Sequence, residues 1–182
     1  MSPEVYHNIR LESERLVTRP VTKDDVDQWM EFFSEKEAVQ FFPDTGIKSN
    51  QERAAEWIDR QIDRYNTNTY GLQAIIDKHT NELIGQCGLL LQVVDGQTEL
   101  EVGYHILKKY WGQGFAPEAA RLFIDYAFAH GLAESVISII DIRNINSRKV
   151  AQKNGLELEK QTLWKNLKVE IYRISRNKWE NV

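Results

Sequence analysis

The sequence contains a single cysteine, Cys87, among 182 residues. One thiol cannot form an internal disulfide, so the composition favours a reducing compartment, for which the cytoplasm is our expectation. No hydrophobic run approaches the roughly 20 residues that a membrane-spanning helix needs, and no apolar signal-peptide region follows the N-terminus. These absences predict a protein that has no membrane partner.

Positive charge and chemical motifs are also sparse. Lys and Arg number 23 against 27 Asp and Glu, and the resulting net charge of −4 argues against general nucleic-acid binding. The four histidines have no metal-ligand spacing to one another or to Cys87, so we expect no metal. No Gly-x-Ser-x-Gly hydrolase elbow occurs. No repeat or linker divides the chain, which predicts one domain over residues 1–182 with a loosely ordered leader at 1–12.

Hydrophobic periodicity predicts an α/β (α+β) domain in the order β α α β β β α β α β β. Helix starts are indicated by Thr22 and Ser49, each with an acidic residue three positions later, and by Pro117. Asp95-Gly96 is typical of a type I′ hairpin turn. This order favours a mixed central sheet with helices on both faces. The predicted strands are residues 15–19, 70–76, 82–94, 98–106, 135–141, 158–164 and 169–175.

Two glycines, Gly112 and Gly114, precede the helix that begins near Pro117. Glycine at a helix start permits close backbone approach, and the free N–H groups of the first turn suit a phosphate. The loop is not a P-loop, because no Lys-Ser/Thr follows, and it lacks the third glycine of the dinucleotide fingerprint. Taken alone, the loop fits a tight strand-to-helix turn as well as it fits a phosphate site.

Asn144 and Ser147 follow the next strand, in the stretch RNINSRKVAQKNG. If the two strands are neighbours, both loops lie at the same edge of the sheet, where ligands collect. Each residue could instead be a helix cap. The combination of this stretch with the glycine loop predicts a ligand crevice.

Both stretches resemble the GNAT superfamily of acyl-CoA-dependent N-acyltransferases, and more closely its RimJ/RimL branch of ribosomal-protein N-terminal acetyltransferases. The similarity covers nearly the whole chain, from ESERLVTRPVTKDD at residues 12–25 to the last strand. It is most specific in ELEVGYHILKKYWGQGFAPEAA (99–120) and RNINSRKVAQKNGL (143–156). Trp111 departs from the superfamily's Gln/Arg-x-x-Gly-x-Gly/Ala loop but is similar to this branch.

The resemblance implies a mostly antiparallel sheet that is splayed at the cofactor site, with acetyl-CoA as the co-substrate. It implies direct acetyl transfer to a primary amine, either a protein N-terminus or a small amine such as an antibiotic or a polyamine. A non-catalytic acyl-CoA-binding or sensing module is the alternative, and the chain could be a monomer or a homodimer. The residues implied to contact the cofactor are Ile106, Leu107, Trp111, Gly112, Gln113, Gly114, Phe115, Ala116, Asn144, Ser147 and Lys153.

The resemblance also implies catalytic roles. Glu101, in the EVGY stretch, is expected to be the base or amine anchor, and Ser147 is expected to point at the thioester sulfur. Glu99 shares a strand face with Glu101 because the side-chain period is two, and Glu170 or a water chain is a further alternative. His105 also lies on this face, so it could contribute to the amine pocket, but we expect an ordinary hydrogen-bonded strand histidine. Basic residues near both loops could favour the cofactor's phosphates or simply be solvated: Lys108, Lys109, Arg148, Lys149 and Lys153.

Overall fold

A seven-stranded sheet forms the centre of the computed structural model, which describes residues 6–42, 46, 48–67 and 69–181. The strands lie in the order β1-β2-β3-β4-β5-β7-β6. All neighbouring pairs are antiparallel except β4 and β5, which are parallel. The expected mixed, mostly antiparallel sheet is therefore confirmed. The strands are β1 Leu16–Pro20, β2 Leu72–Asp77, β3 Leu83–Val94, β4 Gln97–Ile106, β5 Ser135–Asp141, β6 Glu157–Trp164 and β7 Leu167–Ser175.

Helices cover both faces of this sheet, as expected. They are α1 Val26–Ser34, α2 Lys36–Val39, α3 Asn50–Asn66, α4 Phe115–Ala129, α5 Ile145–Lys153 and α6 Arg176–Glu180, with 3-10 turns at Lys23–Asp25 and Lys108–Tyr110. On one face α1 and α3 pack over Ala74 and Ile76 of β2. On the other face α4 packs over Ile75 of β2 and Val102 of β4. The period-two alternation of strand side chains produces these two separate cores.

The first described residues are packed against the sheet. Tyr6 is 1% exposed, its hydroxyl donates to the Gly71 carbonyl at 3.0 Å, and it accepts the Leu89 N–H at 2.7 Å. The expectation of a loose leader over residues 1–12 is therefore wrong for residues 6–12, and residues 1–5 lie outside the described part. A single buried tyrosine with a fully bonded hydroxyl orders a segment that is too short to show a periodic pattern.

The parallel strands β4 and β5 separate soon after they meet. They share one registered pair, Glu101 with Ile137, whereas β4 and β3 stay paired as far as Ile106 with Gly85. Beyond the pair with Ile137, β4 runs on to Ile106 and β5 runs on to Asp141 without pairing to each other. The sheet is therefore splayed toward the carboxyl ends of these strands.

Side chains of β4 alternate between the two cores beside this opening. His105 contacts the rings of Phe32 on α1 and Trp57 on α3. Val102 and Ile106 belong to the core under α4. The opening between β4 and β5 thus connects the α3 face with the α4 face. Within the described residues no helix is long and apolar enough to cross a membrane.

Candidate active site

A cavity of about 1070 Å³ passes through the opening between β4 and β5. One end is lined by the glycine loop and the start of α5, and the other by aromatic and basic side chains of α1, α3 and the β6–β7 turn. Among the described residues, no group of three or more His, Cys, Asp or Glu side chains could hold a metal ion. The expected site residues that line the cavity are Glu101, Ile106, Trp111, Gly112, Gly114, Phe115, Ala116, Asn144, Ser147 and Lys153.

The glycine loop presents free amide groups at the N-terminus of α4. Gly112 and Gly114 have φ angles of 76° and 82°, and Gly114 is the N-cap. No acceptor in the described part of the chain receives the N–H groups of Gly114, Phe115 or Ala116, while the Glu118 N–H bonds to the Gly114 carbonyl. A Cβ on Gly112 would meet nothing within 4 Å, so steric crowding does not explain the glycine. The positive φ angle favours glycine at this position. These amides at a positive helix end can cradle an anion.

Arg15, for which the sequence predicts no functional role, holds this loop. Its Nη1 donates to the Gln113 carbonyl at 3.0 Å, and its Nε donates to Glu118 Oε2 at 2.8 Å. The guanidinium carbon lies 4.3 Å from the Phe115 ring centroid. The Gln113 side chain is exposed and bonds to the Lys109 carbonyl, outside the cavity lining. Arg15 is 98 residues away from Gln113, so no local signal could have revealed this contact.

The strand end differs from expectation at Leu107. Its N–H donates to the Ile84 carbonyl and its carbonyl accepts the Tyr110 N–H, both at 2.9 Å, and its side chain is fully buried. Both backbone groups of Leu107 are therefore already hydrogen-bonded, and Leu107 does not line the cavity, so the structure does not support its expected contact with the cofactor. Ile106 does line the cavity, but its carbonyl already accepts the Trp111 indole N–H at 2.8 Å. The indole thus fixes the loop to the end of β4.

The start of α5 is held by side chains on both sides. Asn144 Oδ1 accepts the Ser147 N–H at 3.0 Å, which makes Asn144 the N-cap. The Tyr104 hydroxyl donates to the Ser147 carbonyl at 2.9 Å. Burial raises the pKa of Tyr104, whereas hydrogen bonds with the side chains of Ser138 and Ser147 oppose that rise. Three hydroxyl groups therefore meet where β4 and β5 separate.

Most of the basic residues near the two loops are neutralised by carboxylates. Ion pairs join Lys108 to Glu35 and Glu37, Lys109 to Glu31, and Arg148 to Glu170. Lys149 and Lys153 line the cavity, and neither has a carboxylate partner among the described residues. Of the five basic residues near the two loops, these two lysines are therefore available to bind phosphates.

Glu101 is a buried carboxylate at the point where the strands diverge. It is 8% exposed, and Gln92 Nε2 donates to its Oε2 at 2.8 Å. Burial raises its pKa, and hydrogen bonds from Gln92 and the Ile139 backbone oppose that rise. A carboxylate with a raised pKa is better matched to proton transfer near neutral pH.

The two alternative carboxylates, Glu99 and Glu170, are ion-paired with arginines. Arg173 donates to both oxygens of Glu99, at 2.8 and 2.9 Å, and lowers its pKa. Glu170 is ion-paired to Arg148 at 2.7 Å and accepts from Gln161 at 3.0 Å. Neither carboxylate lines the cavity. The structure therefore does not support Glu99 or Glu170 as the base.

His105 lies in the cavity wall within a box of aromatic rings. The ring centroids of Trp57, Phe42 and Phe32 are 4.9, 5.3 and 5.8 Å away. Burial lowers its pKa to about 4, so the imidazole is uncharged near neutral pH. The position of His105 in the cavity wall keeps a role in the amine pocket open. Trp29 is fully buried and belongs to the core between α1 and α3.

Comparisons with known proteins agree with this geometry. Residues 15–157 match the model of the acetyltransferase (GNAT) domain. The uncharacterized protein YkkB of Bacillus subtilis is 32% identical over 142 residues, which are 77% of this chain and 80% of that protein. The uncharacterized N-acetyltransferase p20 of Bacillus licheniformis is 29% identical over 84% of each chain.

A solved structure of RimL, a ribosomal L7/L12 α-N-protein acetyltransferase in complex with coenzyme A, shares the fold. Its TM-score is 0.75 at 16% identity, over 93% of this chain and 99% of that chain. Since the family model spans most of the sequence, the protein belongs to the GNAT family of acetyltransferases.

Proposed function

We propose that the protein transfers the acetyl group of acetyl-CoA directly to a primary amine. One observation carries the proposal: a continuous cavity joins the free amides of the glycine loop to Glu101 through the opening between β4 and β5. The donor would enter from the glycine loop and the acceptor from the α3 face. The two would meet near Glu101 and the hydroxyl of Ser147.

The residues on the donor side fit acetyl-CoA. The amides of Gly114, Phe115 and Ala116 suit its pyrophosphate, and Lys149 and Lys153 add positive charge nearby. The unpaired edges of β4 and β5 suit the amides of the pantetheine arm, as an added strand would. When bound, acetyl-CoA supplies an acetyl group that is activated as a thioester.

The residues on the acceptor side fit proton transfer from an amine. An amine is mostly protonated near neutral pH, so it must lose a proton before it can attack. Glu101 would accept that proton directly or through a water, while Gln92 holds its carboxylate in place. The Ser147 hydroxyl would donate to the negative charge that develops on the leaving sulfur, and Tyr104 would hold Ser147 in position.

A thiol-release assay tests this proposal. The purified protein would be mixed with acetyl-CoA and a panel of small amines and N-terminal peptides, and free coenzyme A thiol and acetylated product would be measured. We expect thiol and product in equal amounts with at least one amine. Tight acetyl-CoA binding without thiol release for any amine would indicate a non-catalytic acyl-CoA-binding module instead.

A further inference from the structure

Three cationic side chains line the acceptor half of the cavity. Arg60 and Arg64 lie one turn apart on α3, and Lys165 lies in the turn between β6 and β7. None of the three has a carboxylate partner within the described residues, although ion pairs neutralise most basic side chains elsewhere. A cluster of unpaired cations on a protein of net charge −4 indicates a site that binds an anionic ligand.

Arg64 is held in place from beneath. Its Nη1 donates to Gln61 Oε1 at 2.9 Å, and the same oxygen accepts the Leu72 N–H at 3.0 Å. Gln61 is 1% exposed, so this support is rigid. Burial lowers the pKa of Arg64 and so does Arg60, while Glu101 opposes them. The guanidinium is therefore positioned before any ligand arrives, and a planar fork of this kind suits a carboxylate.

Lys165 occupies a backbone conformation that favours glycine. Its φ is 47°, and that of Asn166 is 66°. Positive φ at both residues is what a two-residue type I′ hairpin turn requires, and Trp164 pairs with Leu167 on either side of the turn. Its Nζ lies 4.1 Å from the Trp164 ring centroid, and the Trp164 indole donates to the Val93 carbonyl at 3.2 Å. This turn is thus anchored over the sheet with its lysine at the cavity.

The carboxylates in the cavity wall do not balance these cations. Glu37 is paired with Lys108 and Asp141 is paired with Arg143, so Glu101 alone faces the three free cations. Burial lowers the pKa of Lys165, whereas Glu101 opposes that change, so the two groups are within electrostatic reach. A polyamine, which needs an acidic pocket, would be repelled here.

We infer that the acceptor is a small molecule in which an anionic group lies a few bonds from the primary amine, the free α-amino acid being the simplest case. The anion would contact Arg64 and Lys165, and the amine would lie beside Glu101. This inference rests on the proposed function and names the substrate class of the same site.

Matched acceptor pairs test the inference. Each of the 20 amino acids would be compared with its C-terminal amide, and phosphoethanolamine with ethanolamine, by thiol release with saturating acetyl-CoA. Spermidine and an acidic N-terminal peptide are tested as two further acceptors. We expect kcat/KM for the best amino acid to exceed that of its amide by about 10- to 100-fold, as for hydrogen bonds to a charged group. The amide lacks the carboxylate charge, so the pKa of its amine is lower and more of the amine is unprotonated near neutral pH. Intrinsic reactivity alone would therefore favour the amide over the amino acid.

Two variants assign the preference to the cluster. Arg64→Gln and Lys165→Gln should each raise KM for the amino acid at least tenfold and leave KM for the amide unchanged. Arg53→Gln is the matched control on the same helix, because Arg53 lies over the Phe33 ring at 4.7 Å, outside the cavity lining. Lys168→Gln is the control in the β6–β7 region, since Lys168 is exposed.

The outcomes separate this inference from the proposed function. A preference for the anionic member of either pair, lost in the two variants, supports the inference, and the larger ratio identifies the anion. Equal rates with acid and amide, or faster transfer to spermidine or to the peptide, overturn the inference alone. No thiol release with any acceptor, despite acetyl-CoA binding, overturns both.

Discussion

At the scale of single residues, Glu101 differs from its neighbours because burial governs its charge. Glu99, two residues earlier on the same strand face, is fixed in its ionised form by Arg173. Glu101 has only neutral hydrogen-bond donors, and its pKa is raised. A carboxylate that loses its proton nearer neutral pH can pass protons during turnover, whereas an ion-paired carboxylate cannot.

We predict that Glu101→Gln lowers the rate of acetyl transfer by about 100-fold or more, the size of a general-base contribution. Acetyl-CoA affinity should be unchanged, since the side chain keeps its shape. Wild-type turnover should fall on the acid side at a higher pH than the ordinary glutamate pKa of about 4.3 implies, and the variant should lack this limb. Single-turnover transfer across pH measures both effects. Glu99→Gln is the control and should retain the wild-type rate, while a wild-type rate for Glu101→Gln would make Glu101 a structural residue.

Glu101 should also affect stability. Its folded pKa lies above its unfolded value, so the folded protein binds the proton more tightly between the two pKa values, and stability falls as pH rises through that window. The Glu101→Gln variant does not lose stability in this way as the pH rises. Its free energy of unfolding relative to wild type should therefore increase from acid to neutral pH, as measured by urea denaturation at several pH values. A difference that does not change with pH would contradict this explanation.

Asn144 caps a helix and is proposed to bind the cofactor, and a single substitution to alanine would affect both. Its Oδ1 caps α5, so Asn144→Ala should cost about 1 kcal/mol of stability. Asn144→Ser keeps a capping oxygen but removes the amide donor, so it should retain the melting temperature and weaken acetyl-CoA binding. Isothermal titration and thermal melting distinguish the two variants. If Asn144→Ser binds acetyl-CoA as wild type does, then Asn144 is a cap and nothing more.

Ser147→Ala should act on turnover instead of affinity. The hydroxyl is expected to donate to charge that develops on sulfur only during transfer, so kcat should fall while the acetyl-CoA dissociation constant holds. Steady-state kinetics and titration measure the two quantities. Loss of stability with unchanged kinetics would overturn the catalytic role.

At the scale of elements, the glycine loop is where local sequence and ligand geometry meet. Helix α4 has a positive-φ glycine at each end, Gly114 at the N-cap and Gly131 after the last turn, where φ is 65°. At Gly131 a Cβ would meet nothing within 4 Å, and at Gly114 it would meet only Arg15 Nη2 at 3.5 Å. Alanine at either site therefore introduces backbone strain of similar size.

This similarity makes a matched pair of variants. Gly114→Ala and Gly131→Ala should each lower the free energy of unfolding by about 1–2 kcal/mol, the cost of placing a Cβ in the left-handed region. Only Gly114→Ala should weaken acetyl-CoA binding, by about tenfold or more, since its Cβ would occupy the space of the pyrophosphate. Titration calorimetry compares the affinities. If both variants bind acetyl-CoA with equal affinity, the glycine loop is not part of the binding site.

Local signals predicted most elements and missed others for definable reasons. The Ser49 capping box and the Asp95-Gly96 turn, with φ angles of 49° and 80°, are present as expected. Helices α2 and α6 were not predicted, because four or five residues are too short for a 3.6-residue period to appear. Their existence depends on packing against α1 and β7.

At the scale of the whole molecule, the opening between β4 and β5 divides the sheet around the site. Helix α4 contacts β3, β4 and β5, while α3 contacts α1 on the opposite face. A ligand that spans the opening would contact loops at the ends of both strands. Binding should therefore stabilise the whole fold.

We predict that acetyl-CoA at 100 times its dissociation constant stabilises the protein by about 2.7 kcal/mol. For a chain of this size that corresponds to a melting temperature higher by about 5–10 °C. Differential scanning fluorimetry measures the shift, with Gly114→Ala at the same ligand concentration as the control. An unchanged melting temperature at saturating acetyl-CoA would contradict binding to the folded state.

The sequence by itself determined the strands, the longer helices and the two loops, because these depend on short-range patterns: alternation, caps, and glycines at helix ends. The family followed from the resemblance of the stretches at residues 99–120 and 143–156. Tertiary structure decided which charges are free. Three candidate carboxylates and five candidate cations look equivalent in the sequence, and only folding pairs Glu99 with Arg173, pairs Glu170 with Arg148, and leaves Glu101 buried. The reason is physical: a side chain's pKa and availability depend on burial and on partners that lie many residues away, and no local pattern encodes either.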